Sequence, residues 1–103
     1  MKRYALKSSS STVATAGTRV ALKSSPTWAA GLLLSAPAAN TGVIYIGDSS
    51  VDATNGYVMA AGDSVSLRDL FGDDDGIVNL ASIYVDAALD GDKVTVAYLE
   101  GIS

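Results

Sequence analysis

Apolar residues in this chain fall mostly at every second position, in short runs broken by turn-forming residues. That period sends alternate side chains to opposite faces of an extended backbone, so each run predicts a half-buried β-strand. In "RVALKSS" (residues 19–25), Val20 and Leu22 share one face while Arg19, Ala21 and Lys23 share the other. "DSVSL" turns Val65 and Leu67 inward, and "KVTVAYL" aligns Val94, Val96 and Tyr98. "GLLLSA" (31–36) and "GVIYIG" (42–47) are continuous apolar runs, the second rich in the β-branched and aromatic residues that strands favour. "LASIYVDA" (80–87) completes the set.

Turn formers separate these runs: Ser25-Pro26, Asn40-Thr41-Gly42, Asn55-Gly56, Ala61-Gly62-Asp63 and Asp90-Gly91-Asp92. Asn55-Gly56 predicts a tight hairpin, because both residue types accept positive φ. Short strands at such spacing predict an all-β chain, a single jelly-roll-like β-sandwich. No long helix is expected, and the glycines and acids of "DLFGDDDGIVNLAS" favour a loop. "ALKSS" occurs twice, at 5–9 and 21–25. Either two similar strands are joined through "TVATAGT" with Gly17 in the turn, or the match is chance in a Ser- and Ala-rich segment. Two copies do not make a solenoid.

With 103 residues, the chain is sized for one domain. Without cysteine it has neither a disulfide framework nor a thiolate metal site, and without histidine it lacks the usual general base. The hydroxyl tract 8–12 follows Lys2 and Arg3 where a leader would need an apolar core, and the longest apolar run, around Trp28 to Leu34, is too short for a membrane span. The charge is lopsided. Lys2, Arg3, Lys7, Arg19 and Lys23 stand in a stretch without acids, whereas every acid lies from Asp48 onward. The sequence therefore divides into an extended basic N-terminal arm (1–23) and a sandwich domain (24–103). The five basic residues are the expected contacts of an arm that pairs with another chain; a basic edge on a single soluble domain is the alternative.

Gly-Asp-Ser occurs at 47–49 and 62–64, the first after an apolar run, and resembles the nucleophile site of GDS-type lipases and esterases. A serine nucleophile needs a base and a group that orients it. Here there is no histidine, and Lys93 is the lone lysine beyond Lys23. Both motifs are thus expected to be turns, and no catalytic residue or cofactor is assigned. "GDDDG" (72–76) and "DGD" (90–92) offer hard oxygen ligands but lack the spacing of a calcium-binding EF-hand loop, so exposed acidic loops are expected and no metal is assigned. The acidic balance opposes nucleic acid. Trp28 suits a core or interface position, or a sugar-stacking one. Leu70 and Phe71, apolar within an acidic loop, either plug the sandwich end or anchor a partner.

The succession "LLL", "NTGVIYIGDSSV", "NGYVMAAGDSVSL", "LASIYVDA" and "DKVTVAYL" resembles small structural proteins of tailed bacteriophages, over residues 31–99. Met59 and Asp63 stand where leucine and glutamate are usual in that pattern, and "FGDDDG" resembles an insertion. The resemblance implies a capsid decoration or cement protein of the virion, assembled in the host cytoplasm, often a homotrimer, whose partner is the major capsid protein. A tail or head–tail connector protein would read similarly. A carbohydrate-binding adhesion module is the remaining alternative.

Overall fold

The structure, a computed structural model, describes residues 3–66 and 77–102. Among these, nine strands form in chain order: β1 (Arg3–Thr12), β2 (Val20–Ala21), β3 (Trp28–Ser35), β4 (Ile44–Gly47), β5 (Tyr57–Met59), β6 (Ser64–Ser66), β7 (Val78–Asn79), β8 (Tyr84–Ala87) and β9 (Lys93–Ile102). One sheet runs β1-β9-β3-β6, with β7 also beside β3, and the other runs β2-β8-β4-β5. Every pairing is antiparallel. The chain is all-β, and its two sheets pack as a sandwich.

The pairing is nested. β1 pairs with β9, β2 with β8, β3 with β6 and β4 with β5, so strands near the start meet strands near the end and the centre meets itself. Period two explains what lies between the sheets. Val94, Val96 and Tyr98 of β9 are buried, as are Leu32 and Leu34 of β3. From the second sheet come Ile44, Ile46, Met59, Val85 and Ala87. The three-residue β6 contributes Val65, 1% exposed; Leu67, expected to follow it inward, lies outside the described residues.

Three expectations change. The first is the N-terminal arm and the domain boundary drawn after residue 23. β1 pairs with β9 from Arg3↔Ile102 to Thr12↔Lys93 without a slip, and β2 pairs with β8. The expected arm is therefore built into the chain's own sandwich as an edge strand. The physical reason is β9, whose backbone would otherwise present a long unpaired edge beside the core.

The second is the hairpin after β4. Asn55 does not adopt positive φ, whereas Gly56 does, at +113°. The tight turn instead closes on an Asp52↔Asn55 bridge around Ala53-Thr54, two residues before the expected pair. The Asp52 carboxylate fixes it by accepting from Thr54 N (2.8 Å), Thr54 Oγ1 (2.6 Å) and Asn55 Nδ2 (3.0 Å).

The third is "LASIYVDA", whose first residues, Leu80–Ser82, form a 3-10 turn before β8. The Asn79 side chain diverts the strand there, accepting from Ala81 N at 3.1 Å and from Thr27 N at 3.0 Å. Leu80 still reaches the core, fully buried.

Candidate binding surface

The outward face of the first sheet is the most unusual surface among the described residues. Alternation that buries Val96 and Tyr98 must send Ala97 and Leu99 outward, and the β1-β9-β3 register places Leu6 and Gly31 beside Leu99. Leu33 pairs with Ala97 on that same face. Leu6 is 73% exposed, Leu33 45% and Leu99 38%. The outward positions from Tyr4 to Ser10 of β1, Thr95 to Leu99 of β9, and Gly31 to Ser35 of β3 carry no charge.

At one end of this face, Trp28 pairs with Asn79 of β7 and stands 59% exposed. A core role for Trp28 is thus excluded. A register shift between Ala29 and Gly31 accounts for it: the extra residue Ala30 lets Ala29 point inward while Trp28 turns out. Trp28, Tyr4 and Ile77 line an open groove of about 380 Å³ with Pro26, Thr27, Ala30 and Glu100.

The basic residues named from sequence do not converge. Lys7 and Lys23 come together around Tyr98: Lys7 is its strand partner, and the Lys23 ammonium lies 5.8 Å from the centre of its ring. That separation is within cation–π reach. Arg19 sits elsewhere, lining a second groove of about 470 Å³ with Gly17, Thr18, Ser49 and Tyr84, where its charge acts on Asp48 and Asp52. Arg3 opens β1. Lys2, Leu70, Phe71 and the "GDDDG" run lie outside the described residues.

Both Gly-Asp-Ser motifs are turns. Asp48 accepts from Ser50 N at 2.9 Å and from Ser50 Oγ at 2.6 Å, and the hydroxyl bond is the main reason its carboxyl titrates below the ordinary value of 3.8. Asp63 accepts from Ala60 N at 3.0 Å, with Gly62 at φ +90° between them. Ser49 and Ser64 are exposed at the turn ends.

Other acids have been recruited as braces. Asp86, 2% exposed, accepts from Gly17 N at 2.9 Å and from Ala87 N at 2.8 Å. Asp90 accepts from Ala16 N at 2.7 Å. Asp92, 5% exposed, takes Thr41 N (2.9 Å), Gly42 N (2.7 Å) and Thr41 Oγ1 (3.2 Å). Asp90 and Asp92 thus hold different loops, and no group of three or more potential metal-ligating side chains occurs among the described residues.

These bonds make stability depend on acid pH. The bond from Thr41 N is the chief cause holding Asp92 below 3.8, and Thr54 Oγ1 does the same for Asp52. A folded-state pKa below the unfolded one means that the unfolded chain binds the proton first. The stabilisation is complete above pH 3.8 and drains away as pH falls through the lowered values. Asp92→Asn should therefore show a shallower loss of stability than the parent chain between pH 5 and pH 2, measured by urea unfolding at each pH. An unchanged slope would remove Asp92 from this account.

No protein-family model, curated protein or solved structure matches the chain. Sequence reasoning placed the partner contacts on the basic residues and on Leu70 and Phe71, and overlooked Tyr4, Leu6, Leu33, Ile77 and Leu99. The signal was present for Leu99: if Val94, Val96 and Tyr98 share the buried face, the leucine that follows must leave it.

Proposed function

We propose that this chain is a virion structural protein that decorates a phage capsid shell and stabilises it by binding between capsid subunits, without catalysis. The observation that carries the reading is the nested strand pairing, in which the successive strands β1 to β4 alternate between the two sheets. A long hairpin rolled in this manner gives a jelly roll, an architecture shared by viral capsid and lectin domains. The step from fold to role is an analogy, strengthened by the residue pattern over 31–99 that resembles phage structural proteins. Lys7, Arg19 and Lys23 supply attachment charges, and the major capsid protein is the partner.

The mechanism is linkage. A molecule that binds the assembled shell better than its free subunits stabilises the shell by that difference. Individually weak contacts suffice when linked attachments act together, since avidity exceeds single-site affinity by roughly 10²–10⁴. Particles imaged with and without this chain should show its density on the shell between capsid subunits, and shells carrying it should withstand higher temperature. Density on the tail axis, or shells of unchanged stability with no added density, would overturn the proposal.

Exposed Trp28 and Tyr4 on one groove favour a second reading, a carbohydrate-binding adhesion module. Both rings are available to stack on a sugar, with Glu100 at the groove to accept its hydroxyls. Titration of the tryptophan fluorescence with oligosaccharides tests it. Saturable changes that vanish in Tyr4→Ala would establish it, and a flat response would exclude it for the sugars used.

A further inference from the structure

We propose that the outward face of the β1-β9-β3 sheet is a self-association surface, on which a second copy of this chain packs face to face about a two-fold axis. This inference is independent of the virion reading.

The first argument is area. Tyr4, Leu6, Trp28, Leu33, Ile77 and Leu99 are exposed by 38–73%. Large side chains offer roughly 200 Å² each, so these six together present an apolar patch on the order of 650 Å². That exceeds the roughly 300–600 Å² of the largest patch on an ordinary monomer. It also approaches the roughly 800 Å² that each partner contributes to a standard interface.

The second argument is charge. The outward strand positions are uncharged across three adjacent strands, in keeping with the depletion of charge at interface cores. Two like-charged copies would repel if the patch carried charge throughout; across these strand positions it carries none, and Glu100 stands only at the groove end. The third argument is composition. Four of the six side chains are aliphatic, which suits another apolar sheet better than a sugar ring.

Symmetry selects the pair. A single self-complementary face makes an isologous contact, which closes at two subunits. The three-fold ring implied by the phage resemblance would need two different complementary patches on each subunit.

Trp28 is the sole tryptophan and provides the readout. The full chain should be examined by light scattering and by fluorescence with acrylamide quenching, across chain concentrations from about 1 to 300 µM. The expected result is a mass rising from one chain of 10.5 kDa to two, with Trp28 becoming shielded and its emission moving to the blue over the same range. Leu6→Glu and Leu99→Lys, both at exposed positions, should weaken the dimer at least about 30-fold. Their circular dichroism and melting should remain those of the folded chain.

A chain that stays monomeric with Trp28 solvated throughout would overturn the proposal. So would a monomer whose Trp28 is already shielded when dilute. A three-chain particle, or a dimer indifferent to both substitutions, would overturn it as well.

Discussion

Leu34→Ala should cost the fold about 3–5 kcal/mol, the largest loss expected from a single truncation here. Leu34 is fully buried near the C-terminal end of β3, with Val96 of β9 on one side and Val65 of β6 on the other. Its side chain belongs to the core cluster that includes Ile44, Ile46, Met59 and Val85 of the opposite sheet. Removing it forfeits the transfer free energy of the lost carbons and leaves a cavity that paired strands on both sides keep from collapsing. Against a net stability of about 5–15 kcal/mol, that loss approaches the whole reserve of a marginal fold. Leu33→Ala is the control. The neighbouring side chain is 45% exposed on the other face, so its truncation should cost less than about 1 kcal/mol in the isolated chain. Urea unfolding should show the midpoint falling strongly for one variant and little for the other, at nearly constant slope. Equal losses would refute the face assignment of β3.

Gly56→Ala should cost about 3 kcal/mol or more, for two separable reasons. Gly56 has φ +113°, where an L side chain is strained by about 1–3 kcal/mol. A Cβ there would also lie 2.6 Å from Val51 Cγ2 and 2.8 Å from the Ile46 carbonyl oxygen. Neither neighbour yields easily. Val51 is fully buried beneath Gly56 and Gly47, and Ile46 is held between β5 and β8. Gly62→Ala separates the two effects, since Gly62 has φ +90° with nothing within 4 Å of the new carbon. It should carry the backbone strain alone. For a domain of this size 1 kcal/mol moves the midpoint by about 4–8 °C, so Gly56→Ala should melt at least about 12 °C below the parent and well below Gly62→Ala. Equal melting of the two variants would mean that Val51 or β4 shifts freely.

How far these features were legible in the residues depends on whether their cause is local. Alternation is local, and it correctly buries Val65, Val94, Val96 and Tyr98. A continuous run such as "GLLLSA" signals a strand without saying which leucine points where; the partners of β3 decide it. Leu6 and Leu22 occupy the same place in the two "ALKSS" copies, yet one is 73% exposed and the other 4%. Their sequence is identical, but Leu6 sits on an edge strand and Leu22 bonds through its N–H to Ile83 O at 2.9 Å, beside the second sheet. Trp28 turned outward because of a bulge that no periodicity announces. Asp86 and Asp92 look like surface acids in the sequence and become buried braces because distant loops bring amides to them. The candidate surface was half legible, since its outward leucines follow from the same alternation as the core while the neutrality of the face emerges only once three strands stand side by side.

The position of β9 also constrains how the chain acquires its structure during synthesis. It follows the other eight described strands in the chain, yet it lies between β1 and β3 and holds them in one sheet. β1 has no other strand partner among the described residues and cannot pair until β9, far downstream of it, has been translated. Contacts so remote in sequence are slow to close and place this fold among the slower small domains. During that delay the tract Ser8 to Ser11 keeps half of the waiting strand hydrophilic, which limits its pairing with other nascent chains.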